Sequence, residues 1–337
     1  MAKEMMPEIK YLPKDEDVDD LKDDARTVWV GAISFEPRCV GGLNDLVRRG
    51  RHLSKGIFLR YPAGRSASQS YIDLVCLGEQ RLENAAEQIF PTKSDVIQVS
   101  PYSTAALEGA FSHILTVFSP KTVIVDITCF TKLHTIALAN FVSEHIDAVN
   151  WVFQYTKPDN YGKLDDATLN KWSDVLIAPI SPDAVLGNEE TTRGVIITGF
   201  EPHRTMVALG EVEPTGGTVL IGKVTGRPDQ AKLSAQRHRK LVNRLSLQDN
   251  SWEVIYSDIF DFKDIKRVID SEISHAETLS APIFVYPFGP KPIVFASCYY
   301  LVAQYAKSAW FAYTTPELFD VEYSEGIGAT DWFCLRS

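Results

Sequence analysis

The chain repeats itself, and this restricts its fold more than any other feature. Val28 to Arg38 reads VWVGAISFEPR and Gly194 to Arg204 reads GVIITGFEPHR. Each is a β-branched run that ends in a small residue and Phe-Glu-Pro. Phe200 lies 165 residues after Phe35. Gly56 to Arg65, GIFLRYPAGR, is matched by Val219 to Arg227, VLIGKVTGR, with Gly226 162 residues after Gly64. VIVDITCFTK, ending at Lys132, is matched by IFVYPFGPK, ending at Lys291. WVFQYTKP starts at Trp151 and WFAYTTP at Trp310; each tryptophan follows its lysine by 19 residues. Phe-Glu-Pro and Gly-Arg lie outside the hydrophobic runs, so generic strand composition does not explain them. Internal similarity at a fixed period marks a repeated structural unit.

Apolar runs predict strands near 28–34, 56–61, 95–99, 122–127 and 150–156, and again near 194–199, 218–223, 252–257, 282–287 and 309–314. Ile72, Val75, Leu82, Ala85, Ala86 and Ile89 recur at helical spacing. So do Ala105, Leu107, Ala110, Ile114, Leu115 and Phe118. Further helices are expected over 228–246, 262–278 and 291–307. Strands that alternate with helices form βαβ units and a parallel sheet. The fold class expected is α/β: two tandem Rossmann-like or flavodoxin-like parallel-sheet domains forming an internal pseudo-two-fold repeat. The domains expected are an acidic N-terminal arm (1–24), a first repeat (25–158), a connection (159–193), and a second repeat with a C-terminal strap (194–337). The connection is rich in Asp, Asn and Pro and would carry at most one short helix.

A length of 337 residues suits two domains of roughly 150 residues. Hydrophobic residues at 45% and charged residues at 23% exclude disorder over most of the chain. No apolar run reaches the roughly 18 residues of a membrane helix. The five cysteines show neither zinc spacing nor a disulfide framework, and their apolar neighbours suit buried thiols. The location expected is the cytoplasm. A net charge of −10 argues against broad nonspecific binding to nucleic acid but leaves room for a local basic pocket. Asp15 to Asp24 holds seven acidic residues in ten and reads as a solvated arm. Arg237, His238, Arg239, Lys240 and Arg244 read as the solvated face of a helix.

Ligands of open α/β sheets bind beyond the carboxyl ends of the strands, where the strand order reverses. The repeated polar landmarks fall at such ends. Ser34, Phe35, Glu36 and Arg38 follow the first strand, Arg65 the second, and Thr128, Thr131 and Lys132 the fourth. Glu201, Arg204, Arg227 and Lys291 take the corresponding places in the second half. The cations suit an anion, and Thr128 and Thr131 open a helix whose first N–H groups attract phosphate. Glu36 and Glu201 could accept bonds from a ribose or base, or pair with Arg38 and Arg204. Phe-Glu-Pro could equally cap the following helix. For an enzyme, Asp126 and Glu36 are the acid/base candidates. The halves differ here, since Tyr286 stands where the first has Asp126. There is no GxGxxG after a strand, no GxxxxGK[ST], no GxSxG and no HExxH. The seven histidines, of which His203 lies nearest a strand end, form no metal-spaced pair. No metal and no cofactor is expected.

VDITCFTKLHTIALANF resembles a segment of the CRISPR-associated Rossmann-fold (CARF) sensor domains. There a strand ends in a turn of the type Thr-Gly-Gly-Thr-Lys and opens a helix rich in small residues. Thr128, Thr131 and Lys132 match, Cys129 and Phe130 replace the glycines, and Gly289 and Lys291 echo the pattern. The resemblance implies a dimeric or pseudo-dimeric sensor of cyclic oligonucleotides or related nucleotide signals, often in antiviral defence. The effector would be a separate chain. Three readings stay open on the sequence. One is a nucleotide-sensing module that takes a nucleotide or other anionic small molecule, with a homodimer and an effector-bearing protein as partners and no membrane. The second is a hydrolase, glycosidase or phosphotransferase acting on a nucleotide or phosphorylated metabolite. The third is an adaptor subunit of a larger complex.

Overall fold

A computed structural model describes residues 6–12, 26–63, 67–161, 172–186, 190–224, 227–246, 251–316 and 324–336. In chain order the first elements are β1 (Glu8–Leu12), β2 (Thr27–Ala32), α1 (Gly41–Arg48), β3 (Lys55–Arg60), α2 (Gln69–Ala86), β4 (Asp95–Gln98), α3 (Thr104–Phe118), β5 (Thr122–Asp126), α4 (Lys132–Glu144), β6 (Asn150–Thr156) and β7 (Asn160–Tyr161). There follow β8 (Trp172–Pro179), β9 (Arg193–Thr198), α5 (Pro202–Val212), β10 (Gly216–Lys223), α6 (Pro228–Ser246), β11 (Trp252–Asp258), α7 (Phe262–Leu279), β12 (Ile283–Pro287), α8 (Lys291–Tyr305) and β13 (Ala309–Pro316). The chain ends with β14 (Ser324–Glu325) and β15 (Thr330–Arg336).

Two compact units result: Met1–Lys163 with Asp320–Ser337, and Leu164–Phe319. The sheet of the first runs β1-β15-β6-β5-β2-β3-β4 and that of the second β11-β10-β9-β12-β13-β8. In each, five parallel strands stand in the same order, numbered 3-2-1-4-5 along the chain, and an antiparallel strand lies beside the fifth. This is the doubly wound order, present twice. The central strands β2, β5, β9 and β12 are buried at every position, as strands covered on both faces must be.

The sixth strand of each sheet corrects the domain boundaries read from sequence. Thr330–Arg336, expected with the second half, pairs with β6 of the first. Trp332 and Phe333 are buried there, Phe333 stacks on Phe153 at 4.9 Å, and the Trp332 indole donates to Asp45 at 2.7 Å. β8, from the stretch expected to be a connection, pairs with β13 in the second. β1, from the expected arm, closes the first sheet beyond β15. The parallel core leaves its fifth strand open to unwanted pairing, and both units cover it with a segment from outside the repeat. Asp15 to Asp24, Gly64, Arg65 and Gly226 lie outside the described residues.

Helix starts are set by short polar side chains. Ser68, Ser103, Thr131 and Asp261 accept from the backbone N–H three residues on at 3.2, 3.1, 3.1 and 3.0 Å, which satisfies donors the helices leave open. α4 is buried throughout Leu133–Val142 and α8 throughout Pro292–Val302, so neither has a solvent face within those spans.

Candidate functional site

Strand order reverses between β2 and β5 in the first unit and between β9 and β12 in the second. The repeated landmarks flank these two points. Ser34–Arg38 leaves β2 and Ile127–Lys132 leaves β5; Gly199–Arg204 leaves β9 and Phe288–Lys291 leaves β12.

In the first unit Thr156, at the end of β6, ties both loops together. Its amide donates to the Thr128 hydroxyl at 2.8 Å and its carbonyl accepts from Arg38 Nη1 at 3.1 Å. Its hydroxyl is 2.8 Å from that of Thr330. Arg38 also donates from Nε to Glu36 Oε2 at 3.0 Å and pairs with the same oxygen through Nη2, while the Ser324 hydroxyl donates to that oxygen at 2.8 Å. Ser34 is buried and its hydroxyl accepts from the Glu36 amide at 3.2 Å. Four residues read as ligand contacts, Ser34, Arg38, Thr128 and Glu36, therefore hold the loops in shape. Thr128 is fully buried and points at β6 rather than into the crevice.

Asp126 is also turned inward. Oδ1 accepts from the Thr128 amide at 2.9 Å. Oδ2 lies so close over Gly42 of α1 that a Cβ there would come within 2.4 Å of it. An acid/base residue must reach its substrate proton; this carboxylate, 2% exposed, braces the turn after β5 against α1.

Phe35, Glu36, Pro37, Thr131 and Lys132 are the half-buried residues of the crevice. Thr131 caps α4 and Lys132 is its first residue. Helix amides, helix dipole and an ammonium group thus share one strand end, a combination that attracts an anion.

Two residues beside this helix start were not singled out from the sequence. His134 is fully buried, with Nε2 2.9 Å from the Ser100 carbonyl and Nδ1 3.0 Å from the Tyr61 hydroxyl. A carbonyl only accepts, so Nε2 carries the proton and Tyr61 donates to Nδ1. Burial lowers the His134 pKa to about 4, against the bonds to the Ser100 and Ser103 backbone, and raises that of Tyr61. The imidazole is a neutral strut from the start of α4 to the turn after β4. The signal for it in the sequence is the aromatic Tyr61 closing the second strand.

The second unit builds the same loop lock differently. Arg204 donates to the Thr314 hydroxyl at 2.7 Å, to the Thr314 carbonyl at 2.6 Å and to Glu201 at 2.5 Å. Its guanidinium lies 5.6 Å from the Phe288 ring centre and 5.3 Å from that of Tyr313. Burial opposes its charge, yet Tyr313 and Glu201 raise its pKa above the ordinary value. Gly199 lets the loops meet, since a Cβ there would stand 2.2 Å from the Phe288 carbonyl oxygen. Tyr286 fills the place of Asp126 and is fully buried. Arg227 is half-buried, 3.9 Å from Asp229, and Lys291 opens α8 after Pro290, without a side-chain cap. His203 is exposed. Arg239, Lys240 and Arg244 are exposed as expected, but His238 is buried with Nδ1 3.0 Å from the Ser234 carbonyl oxygen. Arg237 donates to the Phe200 carbonyl at 3.0 Å.

Among the described residues no His, Cys, Asp and Glu cluster could hold a metal ion, and no helix is long and apolar enough to cross a membrane. No family model matches the sequence, and no curated protein matches it. Among solved structures the chain is similar to Can2 from Sulfobacillus thermosulfidooxidans in complex with cyclic tetra-adenylate, with 17% identity and a TM-score of 0.28 over 42% of this chain and 33% of that one. It is similar to a Type III CRISPR defence DNA nuclease activated by cyclic oligoadenylate, with 8% identity and a TM-score of 0.48 over 85% of this chain and 65% of that one. It is also similar to a universal stress protein from Archaeoglobus fulgidus, with 11% identity and a TM-score of 0.22 over 86% of this chain and 96% of that one. The chain spans a third of the length of the first and just under two thirds of the second.

Proposed function

We propose that the first unit binds an anionic nucleotide at the switch point between β2 and β5, as the sensing part of a nucleotide-responsive defence protein. The observation that carries this reading is the start of α4. Thr131 caps the helix and Lys132 opens it, both half-buried, at the point where the strand order reverses. A phosphate there meets helix amides and an ammonium group together. The lock formed by Thr156, Arg38 and Glu36 supports the reading because it fixes the loops before any ligand arrives, and a preorganised site binds at lower cost. The resemblance of VDITCFTKLHTIALANF to CARF domains selects the ligands to try first, cyclic oligonucleotides.

The test is isothermal titration of the full chain with AMP, cyclic di-nucleotides and cyclic oligoadenylates. At least one binds, and Lys132→Ala weakens it by tenfold or more, about 1.4 kcal/mol. No binding by any of them, or binding indifferent to Lys132→Ala, refutes the reading.

A further inference from the structure

We infer that Tyr102, Tyr71 and Phe35 form a stacking platform for a purine base at the carboxyl edge of the first unit, next to the start of α4. The inference rests on the proposed nucleotide site and adds the part of the ligand that site leaves unrecognised. The three rings come from three separate elements: Phe35 from the loop after β2, Tyr71 from the first turn of α2, and Tyr102 from the turn between β4 and α3. The Phe35 and Tyr71 rings lie 5.3 Å apart at 48°, and both are half-buried. Burial raises the Tyr71 phenol above its usual pKa, and the phenol of Tyr102 adds to the rise.

Tyr102 is 57% exposed, although the turn that carries it is held on several sides. The Ser103 amide donates to the Ser100 carbonyl at 3.2 Å, His134 Nε2 lies 2.9 Å from that carbonyl, and the Thr131 hydroxyl is 3.4 Å from the Pro101 carbonyl. Ser103 caps α3 on the other side. A tyrosine kept for packing buries its ring. Here the backbone is fixed and most of the ring is left to solvent, one residue from a carbonyl bonded to the cap of α4. That bond holds the backbone next to Tyr102 at the start of α4.

Position and charge choose a nucleobase as the occupant. A flat aromatic ligand on these rings has its phosphate within reach of the α4 start; stacking supplies affinity, because every base has a π-face. A purine covers more of a three-ring platform than a pyrimidine does. In the second unit Phe200 and Phe260 take the places of Phe35 and Tyr102, but α6, in the place of α2, opens Pro-Asp-Gln, has no ring in its first turn and sends Arg237 to the Phe200 carbonyl.

The test uses AMP and ribose 5-phosphate, which share the phosphate and sugar and differ by the base. It compares the full chain with Tyr102→Ala, Tyr102→Leu and Tyr102→Trp. AMP binding falls at least tenfold in Tyr102→Ala and Tyr102→Leu and is kept in Tyr102→Trp. The emission gained in Tyr102→Trp is quenched by AMP and not by ribose 5-phosphate. Ribose 5-phosphate binds all four proteins alike. AMP affinity unchanged in Tyr102→Ala, with Lys132→Ala still weakening it, overturns the platform and leaves the phosphate site standing. Failure of AMP and every other nucleotide to bind the unaltered chain overturns both.

Discussion

At the scale of single residues, the first unit separates groups that hold the site from groups that face it. Arg38 has a side chain only 4% exposed and serves Glu36 and Thr156 at once. Removing it leaves a mostly buried carboxylate without its main partner, at a cost of about 2–4 kcal/mol. Arg38→Ala should therefore lower the midpoint of urea unfolding, and an unchanged midpoint would deny the lock. His134 gives a pH signature. Its folded pKa of about 4 lies below that of an exposed histidine, so between about pH 6.5 and 4 the unfolded chain binds the extra proton. This contribution leaves stability intact above that window, erodes it by roughly 3 kcal/mol as pH falls through it, and adds no further slope below. Unfolding of His134→Gln, followed from pH 7 to 4, should show a shallower loss than the parent; His238, also lowered by burial, keeps some slope in both. Sequence marked Arg38 and Thr128, polar residues at strand ends, as ligand contacts and Asp126 as an acid/base candidate. It did not show that a strand end must also be tied to its neighbour, and Thr156 is where that need is met.

At the scale of elements, the ten parallel strands were legible because each is a run of apolar residues between turn signals. The antiparallel sixth strands were not. β8 and β15 carry Asp174 and Asp331 and take their place only when a parallel core offers an open edge. That edge is a property of the folded sheet, absent from local composition. α2 has a tolerance that the sequence does not reveal. A Cβ on Gly78 would stand 2.1 Å from the Ser34 carbonyl oxygen, whereas one on Gly109 of α3 would meet nothing within 4 Å. The two alanine substitutions should act in opposite directions. Gly109→Ala gains about 0.5–1 kcal/mol of helix stability, while Gly78→Ala loses about 1–3 kcal/mol by overpacking. Gly78→Ala should also weaken nucleotide binding, because α2 presses on the loop that carries Phe35. Thermal melts and titrations of the pair check both signs; a Gly78→Ala protein as stable as the parent would show that α2 does not seat on that loop.

At the scale of the whole molecule, two units with one topology have diverged at their switch points. The first keeps Thr131 and Lys132 half-buried at the start of α4. The second stacks Arg204 on Phe288 and Tyr313 and brings its two loops into backbone contact at Gly199. The chain also completes the first unit last, since β15 arrives only after all of the second unit. Ending the chain at Phe319 removes Trp332 and Phe333 from the first sheet, a loss of roughly 3–6 kcal/mol of apolar burial, and its urea transition should move to lower concentration. The most direct measurement of the central claim compares Lys132→Ala with Lys291→Ala, the same helix-opening lysine in the two units, in titrations with cyclic tetra-adenylate and AMP. Binding to the first unit predicts a tenfold or greater loss in Lys132→Ala and a change below twofold in Lys291→Ala; the reverse order, or equal losses from both, would contradict it.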